Sequence, residues 1–229
     1  MLPAAGPQKR ILITGGSGFV GINLIRTFLR NGYNRITSFD AAPLDEAEAG
    51  QVRTICADIR NRGAVEEAMQ HADVVVHAAA ATQQQSRRDI VSTNVVGTRI
   101  VLEAAHRHGI QRFVHISSTV VYGVPAIVPI TEHHERVSGD ECGAGAFGAA
   151  KIRAEQLCED LRRRGTCVTI LRPQCCVGPE RLGGLEFLYG LAADGRAVPL
   201  IGTGAHRRQL VDVQDLCDVI LLCLTESRD

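Results

Sequence analysis

Three glycines at a fixed spacing carry the first chemistry legible in this chain. Thr14-Gly15-Gly16-Ser17-Gly18-Phe19-Val20-Gly21 places glycines at 15, 18 and 21, directly after the apolar triplet Ile11-Leu12-Ile13. Gly15 permits a tight turn, Gly18 lets backbone approach a pyrophosphate, and Gly21 lets a helix and a strand pack closely. A helix opening at Phe19 and Val20 presents unpaired N–H groups and a positive dipole end to phosphates. The second strand candidate ends on Asp40, where a carboxylate accepts hydrogen bonds from adenosine ribose hydroxyls and repels a 2′-phosphate. The pair of signals predicts a dinucleotide site that prefers NAD to NADP. Each also has a plainer reading, an ordinary tight turn and a turn aspartate, and it is their joint context that favours the cofactor.

The elements around these residues follow an alternating pattern. Ile11–Ile13, Ile36–Phe39, Val52–Cys56, Val74–Val76, Phe113–Ile116 and Val168–Leu171 read as short buried strands. Between them, Val20, Leu24 and Phe28 recur at helical spacing, with a stop at Asn31-Gly32. A long helix over Ile90–His108 carries Val91, Val95, Thr98, Leu102 and Ala105, and another runs over Ala149–Arg164. Strands alternating with helices imply right-handed crossovers and an α/β, doubly wound parallel sheet of the Rossmann type, with ligands at the carboxyl ends of the strands. Beyond Pro173 the alternation loosens and Gly and Pro become frequent. Residues 1–172 are therefore expected to form the dinucleotide-binding domain. Residues 173–229 are expected to form a small, apparently truncated substrate lobe with elements returning to the core.

Composition excludes several classes. Lys plus Arg equals Asp plus Glu, 25 each, so nothing suggests a nucleic-acid or anionic-membrane footprint. The eight cysteines contain no CxxC pair, and most sit in apolar runs, which reads as free thiols rather than disulfides or a metal site. Neither a signal peptide nor an apolar run long enough to span a bilayer is present, so the expectation is a soluble cytoplasmic protein.

The motifs taken jointly resemble the extended short-chain dehydrogenase/reductase superfamily, the NAD-dependent epimerase/dehydratase group that works on nucleotide sugars. The resemblance rests on TGGSGFVG, Asp58-Ile59, His77-Ala78-Ala79-Ala80 and Asn94-Val95-Val96-Gly97-Thr98. It continues through Ile116-Ser117-Ser118-Thr119-Val120-Val121-Tyr122-Gly123, Ala149-Ala150-Lys151 and Leu171-Arg172-Pro173. It implies that Asp58 and Ile59 flank the adenine and that Ala78 and Ala79 let the cofactor lie close to the fourth strand. Asn94 would support the middle of the third crossover helix, and Ser117 would lie on the cofactor side. Ser118 matches the catalytic serine or threonine that orients a substrate oxygen, with Thr119 beside it, and Lys151 matches the lysine that holds the nicotinamide ribose. A strand-end cap and a solvated helix lysine are the plainer readings of Ser118 and Lys151.

Three departures qualify that resemblance. Where the family has Tyr-x-x-x-Lys, this chain has Phe147 four residues before Lys151, and phenylalanine has no hydroxyl to pass a proton. An engineered change, another proton donor and a non-catalytic binder all remain open, with Tyr122 and Tyr189 the candidate substitutes. Next, Cys175 stands where an asparagine commonly meets the substrate's phosphates. That weakens the sugar-nucleotide assignment and leaves room for ketone, steroid-like or flavonoid-like substrates. Arg208, in Arg207-Arg208-Gln209-Leu210-Val211, restores a phosphate ligand by resemblance. Finally, extended members run on for roughly another hundred residues, so the chain is either a fragment or a minimal member.

The expected function is an NAD-dependent epimerase or related oxidoreductase acting on a nucleotide sugar. Dehydratases of the group often carry an acidic pair where Thr119 and Val120 stand, which disfavours that class. A Rossmann protein that holds NAD without chemistry is the alternative, and Asp40 argues against an NADP-type ketoreductase. A homodimer through the helices at 90–108 and 149–164 is implied by resemblance alone.

Overall fold

The computed structural model of the chain describes residues 8–124, 127–137, 145–179, 186–199, 202–203 and 209–225. Six parallel strands form one sheet: β1 (Ile11–Thr14), β2 (Ile36–Asp40), β3 (Arg53–Cys56), β4 (Val74–His77), β5 (Arg112–Ile116) and β6 (Cys167–Leu171). Their spatial order is β3-β2-β1-β4-β5-β6. The order reverses beside β1, so the C-terminal ends of β1 and β4 open a crevice there. All four residues of β1 and of β4 are buried, as a sheet covered on both faces requires.

The two faces carry separate cores. On one, α3 (Arg62–Met69), α5 (Thr98–Arg107) and α6 (Gly145–Arg163) cover Leu12, Phe39, Val75 and Phe113. On the other, α1 (Phe19–Arg30) and α8 (Val213–Thr225) cover Ile11, Ile13, Val74 and Val114. Leu216, Ile220 and Leu224 of α8 belong to this second core, so the last described helix packs on the large sheet beside α1. Between the layers' last elements, β7 (Cys175–Val177) and β8 (Leu210–Asp212) pair in parallel as a small second sheet. The remaining helices are α2 (Glu46–Ala49), α4 (Arg87–Val91) and α7 (Glu186–Ala193). Among the described residues no helix is long and apolar enough to cross a membrane.

Two expectations are corrected. The single helix over 90–108 is broken: α4 passes into a π-helical turn, Ser92–Gly97, before α5 begins. Asn94 sits in that turn with its amide committed to backbone elsewhere, and a side chain at Gly97 would meet Ile59 Cδ1 at 2.6 Å, so both residues answer to neighbours outside the helix. The helix expected from Ala149 begins instead at Gly145. Phe147 and Lys151 therefore lie one turn apart on a single helical face.

Candidate active site

The turn after β1 is built around contacts only glycine allows. Gly15 has φ +76°, and a Cβ there would lie 2.5 Å from the Ala79 backbone nitrogen. A Cβ on Gly21 would lie 2.1 Å from the Gly15 carbonyl oxygen, so the start of α1 presses directly on the turn. Gly18 differs. It is exposed, extended at φ −78°, and the nearest atom to a Cβ there is the Gly15 oxygen at 3.3 Å. Its lack of a side chain answers little inside the protein and keeps the helix N-terminus open to the outside. No side chain caps α1, so the positive end of its dipole faces the turn without a side-chain partner.

A groove of about 490 Å³ runs from this turn across the ends of β2, β3 and β4. Gly15, Gly18, Asp40, Asp58, Ile59, Ala78 and Ala79 line it, as expected, and so do Ser17, Arg60 and Gln85. Asp40 Oδ2 accepts from the Ser17 N–H at 3.0 Å and Oδ1 from the Ala42 N–H at 3.1 Å, which fixes the carboxylate at the groove edge. Asp58 pairs with Arg60 at 2.6 Å, and that hydrogen bond holds its carboxyl below the usual range. Arg60 escaped sequence reasoning; its sign, two residues after an aspartate in a loop, was the only cue. Phe19 and Val20 do not line the groove: their half-buried side chains pack against the second core. Asn94 holds the far wall, its Oδ1 accepting from Ala81 N–H at 2.7 Å and its Nδ2 donating to Ala81 O at 2.9 Å.

The second cluster stands at the C-terminal ends of β5 and β6. Ser118 caps a 3-10 turn, Thr119–Tyr122, with its Oγ accepting from the Val120 N–H at 3.3 Å. The hydroxyl hydrogen is left for another partner. Lys151 is buried, and its Nζ donates to the Ile116 carbonyl at 2.7 Å. Burial pushes its pKa down to about 8. Its Nζ also lies 5.7 Å from the centre of the Phe147 ring, within cation–π reach. Phe147 itself packs against Ala81, Ile90 and Ala150.

Behind these residues lies a carboxylate that sequence reasoning missed. Glu155 is fully buried, one helical turn beyond Lys151. Its Oε1 accepts from Ser117 Oγ at 2.6 Å and Arg172 Nε at 2.9 Å, and its Oε2 from Arg172 Nη2 at 2.8 Å and Arg136 Nη1 at 3.0 Å. Burial raises the Glu155 carboxyl, but the hydrogen bonds of Arg172 and Ser117 outweigh it and the net direction is down. Ser117, expected on the cofactor side, thus turns its hydroxyl into the protein. The spacing Lys151–Glu155 was a usable signal, because a lone acid on the buried face of a helix needs a partner.

The two candidate tyrosine substitutes for the hydroxyl missing at Phe147 are otherwise placed. Tyr122 is buried and its oxygen accepts from Arg172 Nη1 at 2.7 Å, while Tyr189 stands exposed on α7. His77 bonds Thr14 at 2.6 Å and Thr98 at 2.9 Å, and burial pushes its pKa to about 3. His115 stacks on His77 with ring centres 5.4 Å apart and is likewise pushed well down by burial. Both are neutral core residues. Arg208 lies outside the described residues.

The family model described as "NAD dependent epimerase/dehydratase family" matches residues 11–229. The y4nG protein of Sinorhizobium fredii is 32% identical over 93% of this chain and 52% of its own length. The dTDP-glucose 4,6-dehydratase of Streptomyces niveus is also 32% identical, over 96% of this chain and 70% of its own. Among solved structures, WbmG of Bordetella bronchiseptica with NAD and UDP superposes with a TM-score of 0.84 at 27% identity, over 100% of this chain and 72% of that one. DesIV of Streptomyces venezuelae, a dTDP-glucose 4,6-dehydratase solved with NAD bound, gives 0.83 at 27% identity, over 96% and 73%. The chain thus spans about half of one relative and somewhat over two thirds of the others. It belongs to the NAD dependent epimerase/dehydratase family.

Proposed function

For a member of that family, we propose that the chain holds NAD in the groove after β1 and acts on a nucleotide sugar beside Ser118 and Lys151. The observation that carries the reading is the Gly18 position, a glycine with little to avoid inside the protein at the mouth of a groove edged by Asp40. The other features suit the same group: the uncapped N-terminus of α1 for phosphates, the Asp40 carboxylate as acceptor for ribose hydroxyls, and the small Ala78 and Ala79 for close approach. When bound, NAD supplies the hydride acceptor and, for an epimerase, returns the hydride. Ser118 donates its free hydroxyl hydrogen to the substrate oxygen and orients it. The Lys151 ammonium keeps two donors beyond the one given to Ile116 O, and its charge favours negative charge developing nearby. Phe147 can take no part in the proton transfer, and losing a positioned acid–base typically costs on the order of 10²–10⁴-fold in rate. Thr119 and Val120 supply no acidic pair, so the reading favours epimerase or oxidoreductase chemistry over dehydration, although dehydratases stand among the relatives.

Phe147 also favours a second reading, a protein that holds NAD and performs no turnover. One experiment separates the two. The chain and its Phe147→Tyr variant are given NAD⁺ and a panel of UDP- and dTDP-sugars, and nicotinamide reduction and sugar products are followed. A rise of two orders of magnitude or more with tyrosine supports the enzyme. NAD binding with no turnover in either protein removes it in favour of the binding role. We place the protein in the cytoplasm, in keeping with the free thiols of the seven described cysteines. A homodimer would join through α5 and α6, whose shared outer groove of about 280 Å³ is lined by Arg99, Glu103, Arg153 and Leu157 among others.

A further inference from the structure

One residue after Ser118, two side chains fix each other's hydrogen-bonding character. Thr119 Oγ1 donates to Gln174 Oε1 at 2.9 Å, and the Cys175 backbone N–H donates to the same oxygen at 3.2 Å. A backbone N–H can only donate, so the amide oxygen must be the atom that faces it and the Gln174 NH₂ must face away. That NH₂ has no partner among the described residues, and Gln174 is exposed. The backbone locks the pair further, because Thr119 N–H donates to Pro173 O at 3.1 Å across the ends of β5 and β6. With its hydrogen given to Gln174, the Thr119 oxygen offers only lone pairs. The pair therefore presents two N–H donors beside one acceptor.

A hydroxyl both donates and accepts, and it satisfies such a pair. A phosphate oxygen does not, since the Thr119 lone pairs would face its negative charge. Resting on the nucleotide-sugar reading above, we propose that Gln174 and Thr119 together recognise a ring hydroxyl of the sugar, next to the oxygen that Ser118 holds. Gln174 is then a specificity-determining residue, and the adjacent Cys175, with a weakly bonding thiol, has no share in that recognition.

The test measures equilibrium binding of UDP-glucose and its four monodeoxy analogues to the NAD-loaded chain, to Gln174→Glu and to Thr119→Val. Glutamate keeps the shape and the acceptor oxygen but removes both donors. The native chain should bind UDP-glucose about tenfold more tightly than one particular deoxy analogue, the scale of one net hydrogen bond. Both variants should lose that preference, leave the affinity for that analogue within about twofold, and leave NADH affinity and the thermal midpoint unchanged. A preference that survives in Gln174→Glu overturns the proposal, as does an equal loss of NADH affinity, which would make Gln174 a cofactor residue. If the native chain binds NADH but neither UDP-glucose nor dTDP-glucose, the nucleotide-sugar reading falls and takes this proposal with it.

Discussion

Lys151→Met is expected to stabilise the folded chain while weakening its hold on NAD. The Lys151 ammonium is buried, and no carboxylate lies within ion-pair distance of it among the described residues; its hydrogen bond goes to a carbonyl. Burial lowers its pKa from 10.5 to about 8, and a difference of that size corresponds to roughly 3 kcal/mol against the charged form at pH 7. Methionine of similar length removes that cost. Against it stands the loss of the bond to Ile116 O, worth about 1–2 kcal/mol when the carbonyl is left buried without that donor. The net expectation is a gain of about 1 kcal/mol at pH 7, read by urea unfolding without NAD. The sign with pH follows from linkage. Between pH 8 and 10.5 the unfolded chain binds more protons than the folded one, so native stability rises with pH and the advantage of methionine shrinks. NAD titration by NADH fluorescence should show weaker binding in the variant. A variant less stable than the native chain by about 1 kcal/mol at pH 7, or a difference that does not change toward pH 10, would refute the claim that this lysine is kept for function at a cost in stability.

The glycines of the cradle should separate fold from ligand. Gly21→Ala drives a Cβ to 2.1 Å from backbone and should cost several kcal/mol in thermal or urea unfolding. Gly18→Ala meets only a 3.3 Å contact and should leave the melting midpoint within about 3 °C while weakening NAD at least tenfold. Glu155→Gln leaves Arg172 and Arg136 without their buried carboxylate, at a cost of about 2–4 kcal/mol after allowing for the partial exposure of both arginines. Because the native Glu155 carboxyl sits below its ordinary 4.5, its contribution is present above that pH and lost as pH falls through the folded value. The gap between the native chain and the Glu155→Gln variant in acid unfolding should therefore narrow as pH falls below 4.5; a gap that stays constant would place the stabilisation elsewhere. Asp40→Ala should bring NADP affinity to within about tenfold of NAD, measured by competition against NADH.

The glycine spacing, the alternation of β-branched runs with helical stretches, and Asp40 at a strand end made the sheet and the groove after β1 legible in advance, because each is a local pattern. What stayed hidden depends on which residues meet across the sheet. The break in the helix over Ser92–Gly97 comes from Asn94 reaching Ala81 and from Gly97 yielding to Ile59, and neither contact has a local periodicity. Ser117 belongs to a well-marked motif, yet its hydroxyl turns inward because Glu155, 38 residues on, needs a donor. Phe19 and Val20 sit in the motif and serve the core.

Glu155 also explains how a site assembled from distant segments stays in register. It ties Ser117 at the end of β5, Arg172 just past β6 and Arg136 from the segment before α6 to the helix that carries Lys151. Arg172 reaches on to Tyr122, closing the 3-10 turn that Ser118 caps. Every oxygen of the buried carboxylate is thus used, and the two groups assigned to the reacting centre are positioned from one point. The same network consumes the one buried tyrosine hydroxyl near that centre, so the loss at Phe147 cannot be made good by Tyr122 without breaking the frame that holds Ser118. Among the described residues, a gain in activity is therefore expected from Phe147→Tyr and not from a change at Tyr122.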